Sequence, residues 1–112
     1  MTSPSKAKGD RFERSCAEYL TANTKFRVSR RFGAGAQEDR GDLEGLPSMT
    51  IQCADYKDKS TALRIKPPEA DQQASRISPD MLGVTAIKLR GGDIRFVFTK
   101  EAFVKLINRI NL

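Results

Sequence analysis

Apolar positions along the chain change their period several times, and each change marks an element. From Lys6 to Asn23, Phe12, Cys16, Tyr19 and Leu20 recur at i, i+4, i+7 and i+8, the stripe of one helical face. Glu13 lies beside that stripe, on the polar flank. From Lys25 to Phe32 the pattern becomes alternating, with Phe26, Val28 and Phe32 apolar, and predicts a strand whose other face is basic. The glycines between Gly33 and Gly41 predict a loop. "DLEGL", from Asp42, reads as a short strand, and Pro47-Ser48 as a turn. "MTIQCADY", from Met49, reads as a strand with Met49, Ile51 and Cys53 facing one way and Thr50, Gln52 and Ala54 the other.

Beyond it, "KDKSTALRIK" reads as a basic, polar connection. Pro67 or Pro68 then opens a second helix, since proline suits a first helical turn. Its stripe is thin: Ala70, Ala74 and Ile77. "GVTAIKL" predicts a buried strand, "RGGD" a hairpin turn, and "IRFVFT" the partner strand. Thr99 suits an N-cap, with Phe98 and Phe103 at the positions of a hydrophobic staple. The closing helix carries Phe103, Leu106, Ile107 and Ile110 on one face, fit either for the core or for pairing two subunits. The order α-β-β-β-α-β-β-α predicts an α/β domain with a small mixed sheet flanked by helices. Residues 1–5 read as a flexible N-terminal segment, and residues 6–112 as one domain.

Composition narrows the class. The chain has 112 residues, 38% hydrophobic and 30% charged, which suits one globular domain and not a disordered one. A domain this small gains from dimerisation. Its 20 Lys+Arg against 14 Asp+Glu, net +6, point to an anionic partner, nucleic acid first. The absence of histidine excludes Ser-His-Asp triads and histidine acid–base chemistry. Cys16 and Cys53 sit in apolar patterns and read as reduced core residues. No run approaches the ~18 apolar residues of a membrane span, and the N-terminus has no apolar signal core. No membrane association and a cytoplasmic location are expected.

One stretch could carry chemistry. Phosphodiester hydrolysis commonly uses a divalent cation, which stabilises charge on the phosphoryl group and lowers the pKa of an attacking water. Magnesium takes a few hard oxygen ligands and keeps several waters. Asp42 and Gln52, on adjacent strands, and Glu13 on the first helix supply such oxygens. An aspartate in "RGDLEG" is equally a turn former, and a glutamine on a strand face is equally a solvated one. Arg27, Arg30, Arg31 and Arg40, with Lys57, Lys59, Arg64 and Lys66, flank this stretch as candidate phosphate contacts. With few aromatics, recognition of backbone and shape is expected over reading of bases.

"KGDRFERSCAEYL", the glycine-rich loop, "DRGDLEGL" and "IQC" together resemble the archaeal- and phage-type Holliday junction resolvases of the PD-(D/E)xK nuclease superfamily. The resemblance covers residues 6–99 and rests on the order and spacing of short motifs. It implies a restriction-endonuclease-like core and a homodimeric, Mg²⁺-dependent endonuclease, with Mn²⁺ able to substitute, acting on branched DNA such as four-way junctions. It also implies a phage or microbial source. By position, Glu13 matches the helix carboxylate, Asp42 the central metal-binding aspartate and Gln52 the second acidic position. The motif lysine falls on Ala54, where the sequence departs from the pattern. Three explanations compete: a lysine supplied from Lys57 or Lys59, a binding-only relative, or a lysine replaced by alanine to give a catalytically impaired chain. The third is favoured, because the rest of the set is kept. Gln72 or Gln73 of the second helix is a further candidate. Alternatives to a resolvase are another nuclease of the superfamily acting on branched or flapped DNA, and a non-catalytic DNA-binding protein.

Overall fold

The structure, a computed structural model, describes residues 4–31 and 42–110, with side chains of the first helix described from Gly9 onward. Three helices and five strands follow one another as α1 (Pro4–Asn23), β1 (Ser29–Arg30), β2 (Leu43–Glu44), β3 (Met49–Ala54), α2 (Lys59–Ile77), β4 (Leu82–Lys88), β5 (Ile94–Val97) and α3 (Lys100–Arg109). The strands form one sheet in the order β1-β2-β3-β4-β5. Among the described strands only β3 and β4 run parallel, with Gln52 opposite Thr85 and Ala54 opposite Ile87. A parallel pair needs a crossover, and α2 is that crossover. The expected α/β class and element order are both present. None of the described helices is long and apolar enough to cross a membrane.

Alternation along β3 divides the core in two. Ile51, flanked by Met49 and Cys53, packs on Phe12, Cys16 and Ala17 of α1, together with Val28, Leu43, Val84 and Ala86. On the other face Ala54 packs with Ala62 of α2 and Ile87 of β4. Both faces of β3 are therefore covered. Thr50 and Gln52, which a one-sided sheet would leave in water, are buried.

Two glycines set close approaches. A Cβ on Gly83 would lie 2.5 Å from the carbonyl carbon and oxygen of Ala70, so α2 rests on β4 backbone to backbone. Gly45 has φ +124°, and a Cβ there would meet the Arg27 carbonyl oxygen at 2.2 Å. Only glycine lets β2 leave the sheet past that segment.

Several boundaries differ from the sequence reading. Helix α1 begins at Pro4, inside the segment expected to be flexible. Of the strand expected over 25–32, only Ser29–Arg30 is strand among the described residues, and Phe32 falls outside them. Its first half is bound to the end of α1 instead: Thr21 Oγ1 accepts from Val28 N at 2.9 Å, and Thr24 Oγ1 accepts from Phe26 N at 3.2 Å. Helix α2 begins eight residues before Pro67, at Lys59, with Asp58 as N-cap accepting from Thr61 N. Asp58 outcompetes proline as the start signal, because a cap satisfies an orphan N–H whereas a proline only lacks one. Pro67 and Pro68 thus sit inside the helix and deprive the carbonyls of Leu63 and Arg64 of donors. Both of those residues are exposed, where water can replace the lost bonds.

In α3, Thr99 is the N-cap, accepting from Ala102 N at 3.1 Å, and its hydroxyl also donates to Asp71 of α2. Ala102 is buried, whereas Phe103, Val104, Ile107 and Ile110 are each about half exposed. The apolar stripe of α3 points largely outward.

Candidate functional site

Asp42 stands immediately before β2. Its backbone N–H donates to Ile51 O at 2.7 Å, and its Oδ2 accepts from Cys53 N at 2.7 Å. The carboxylate therefore sits on the edge of β3 where the two-residue β2 has run out. A full-length β2 would pair that N–H with a carbonyl; the short strand leaves it to a side chain.

Glu13 reaches the same end of the sheet from α1. Burial first, and then the negative charge of Asp42, push its carboxyl above the usual range, against the pull of Arg30. The two carboxylates thus lie close enough to repel. Arg30 of β1 holds Glu13 Oε1 at 3.1 Å and Asp10 Oδ1 at 2.8 Å. Asp10, one helical turn before Glu13, was not singled out in the sequence; its i−3 spacing was the available signal.

Gln52 is 9% exposed and lies on the opposite face, the one covered by α2. Its Nε2 approaches Glu69 Oε2 at 3.5 Å. Its Oε1 is buried and meets no hydrogen-bond donor among the described residues. The four expected site residues therefore divide. Glu13 and Asp42 come together at the α1 side and the sheet edge, while Gln52 and Ala54 face α2.

Ala54 is 0% exposed, closed in by Ala62 and Ile87. A lysine there would need its stem threaded out of an apolar contact. Lys57 is exposed, beyond the end of β3. Lys59 opens α2, and its ammonium donates to the Tyr56 carbonyl.

The remaining basic residues fall into two groups. Arg30 is held as described, Arg31 pairs with Glu44 at 3.1 Å, and Lys66 pairs with Glu69 at 3.0 Å. Arg27 and Arg64, like Lys57, are exposed and open to phosphate. Arg40 and the glycine loop fall outside the described residues. On α2, Gln72 is exposed and Gln73 buried, so Gln73 is the one turned inward. Glu69 was not singled out in the sequence. Its i+3 relation to Lys66 is legible only once the helix is known to begin at Lys59.

Cys16 and Cys53 are free thiols, as expected. A hydrogen bond from Cys16, then burial, push the Cys53 thiol far above its ordinary range. The Cys53 thiol is therefore not poised as a thiolate nucleophile.

For Mg²⁺, the donors at the sheet edge are the Glu13 and Asp42 carboxylates, which repel each other; the buried Gln52 Oε1, which meets no donor among the described residues, lies on the opposite face. Among the described residues no group of three or more cysteine and carboxylate side chains is gathered to hold a metal. Two carboxylates with water suit magnesium, which takes few protein ligands, so the set fits that ion. No family model, curated protein or solved structure matches the chain.

Proposed function

We propose that the chain is a Mg²⁺-dependent, structure-selective DNA endonuclease that resolves four-way junctions, with a β3 strand impaired by Ala54. The observation that carries this reading is the Asp42 carboxylate fixed on the β3 edge beside Glu13. Asp42 and Glu13 would hold the cation. When bound, it neutralises charge on the phosphoryl group and lowers the pKa of the attacking water. Arg27, Lys57 and Arg64 contact phosphates on either side of the scissile bond. The net charge of +6 draws DNA to the surface. A second copy, joined through the outward stripe of α3, brings two sites to a junction of matching two-fold symmetry.

A non-catalytic DNA-binding role is the second reading. It is favoured by the neutral Gln52 and the closed position of Ala54. Cleavage decides between them. The parent chain and Ala54→Lys are incubated with four-way junction, flap and linear duplex DNA in Mg²⁺ or Mn²⁺. At least one chain cuts, junction is preferred over duplex at equal salt, and Asp42→Asn abolishes cutting. Metal-independent cutting, or none by either chain, removes the nuclease reading.

A further inference from the structure

Helix α1 and residues 27–30 enclose an open groove of about 510 Å³. Two contacts fix how its walls run. Thr21, near the end of α1, bonds to the Val28 backbone, whereas Arg30 reaches Glu13 and Asp10, two turns earlier on the helix. The walls are therefore antiparallel, with Arg14 and Arg30 at one end of the groove and Arg27 at the other. The floor is apolar: Ala17 and Val28 are buried, and Ala22 adds a methyl. The Thr21 hydroxyl is committed to Val28, donating to its carbonyl at 3.1 Å and accepting from its N–H at 2.9 Å. The rim is charged. Arg14 and Arg27 are exposed and form no ion pair among the described residues. Glu18, one helical turn after Arg14, faces the groove between its two ends. Such a groove suits an occupant with an uncharged, apolar middle and a negative charge at either end. A nucleotide within a strand is built this way, with a base set between two phosphates. Arginine is the side chain best fitted to phosphate, and Glu18 keeps phosphate off the middle of the groove.

We propose that this groove holds one unpaired nucleotide of the DNA substrate, its base on the floor of Ala17 and Val28 and its flanking phosphates on Arg14 and Arg27. The inference rests on the nuclease reading above and supplies a source for its structure selectivity. A base can enter the groove only after leaving its stack, and that step costs least for a base already unpaired. Perfect duplex has no such base to offer, whereas a bulge, a flap or a branch point does. Arg30 lines the groove and also holds Glu13 Oε1 at 3.1 Å. A strand seated in the groove therefore passes on toward the end of the sheet where Glu13 and Asp42 lie. Alanine and valine on the floor carry no donor or acceptor that could tell one base from another. The groove reads the absence of pairing and leaves sequence unread.

The test measures binding by fluorescence anisotropy in metal-free buffer, across a salt series, to three DNAs. These are a matched duplex, the same duplex with one bulged deoxyadenosine, and the same bulge with its base removed. The abasic bulge keeps the bend and the phosphates, so the comparison isolates the base. The parent should bind the bulged duplex about tenfold more tightly than the matched one, and the abasic bulge should lose that preference. Ala22→Leu fills the groove from an exposed position, because a helical side chain leans back toward the preceding turn. It should bring the ratio of bulged to matched binding close to one. Arg14→Gln and Arg27→Gln should each lower the salt slope on bulged DNA by about 1. Circular dichroism checks that each variant folds. If the parent binds DNA but treats base-bearing and abasic bulges alike, the inference is overturned and the nuclease reading stands. The same holds if Ala22→Leu keeps the bulge preference and instead weakens binding of an acidic, leucine-bearing peptide. If none of the three DNAs is bound, the nuclease reading falls and this inference with it.

Discussion

Cys53 donates its backbone N–H to Asp42 Oδ2 across 2.7 Å, so a side chain completes the ladder where β2 ends. Asp42 thus has a structural duty beside the chemical one proposed for it, and two substitutions separate them. Asp42→Asn keeps an acceptor oxygen and should leave the melting temperature little changed while abolishing Mg²⁺-dependent cutting. Asp42→Ala orphans a partly buried N–H and should also cost about 1–3 kcal/mol of stability. Chemical denaturation of the three chains checks the difference.

Two carboxylates should respond to pH in opposite senses. Glu13 has its folded pKa raised, by burial first, so the folded state binds its proton more tightly than the unfolded chain. Its contribution to stability falls as pH rises from the unfolded value toward the folded one. Glu69 has its folded pKa lowered, by the Lys66 hydrogen bond first. Its contribution is present above the unfolded value and is lost as pH falls through the folded one. In metal-free buffer, the parent should therefore gain stability relative to Glu13→Gln as pH drops toward the unfolded glutamate value, and lose its advantage over Glu69→Gln only as pH drops below that value. The Glu69 effect is the smaller, because that side chain is nearly half exposed. Thermal melts from acidic to neutral pH, on both sides of the unfolded glutamate value, read both.

The outward stripe of α3 should carry self-association. Ile107→Asp changes a side chain 48% exposed, so the fold should survive while a dimer falls to monomer. Sedimentation velocity at several concentrations measures this. A monomeric parent would remove the two-site reading of junction cutting.

Gly83→Ala puts a methyl 2.5 Å from the Ala70 backbone. Helix α2 must lift from β4, costing roughly 1–3 kcal/mol. The urea midpoint should fall with the m-value unchanged.

Most of the architecture was legible because β3, β4 and α3 carry strong local signals. The β3 alternation assigned Gln52 and Ala54 to one face correctly, yet it could not say what covers that face. The cover is α2, and its start was hidden by Pro67 and Pro68, which advertise a helix beginning where this one is already in its third turn. Missing that start turned Lys59, Arg64 and Lys66 into loop residues and left Glu69 unremarked. Asp42 and Glu13 were legible by type and order. Their separation from Gln52 across the sheet was not, because it depends on how far β2 extends. Motif spacing does not encode strand length.

The contact of Gly83 with Ala70 has a mechanical meaning for the helix that bears Lys66. With no side chain between them, strand and helix behave like a pin through a lever. Lys66 lies one turn from that pin, where a tilt of α2 moves it little. The backbone that carries the Lys66–Glu69 pair is thereby held at a fixed height above β4.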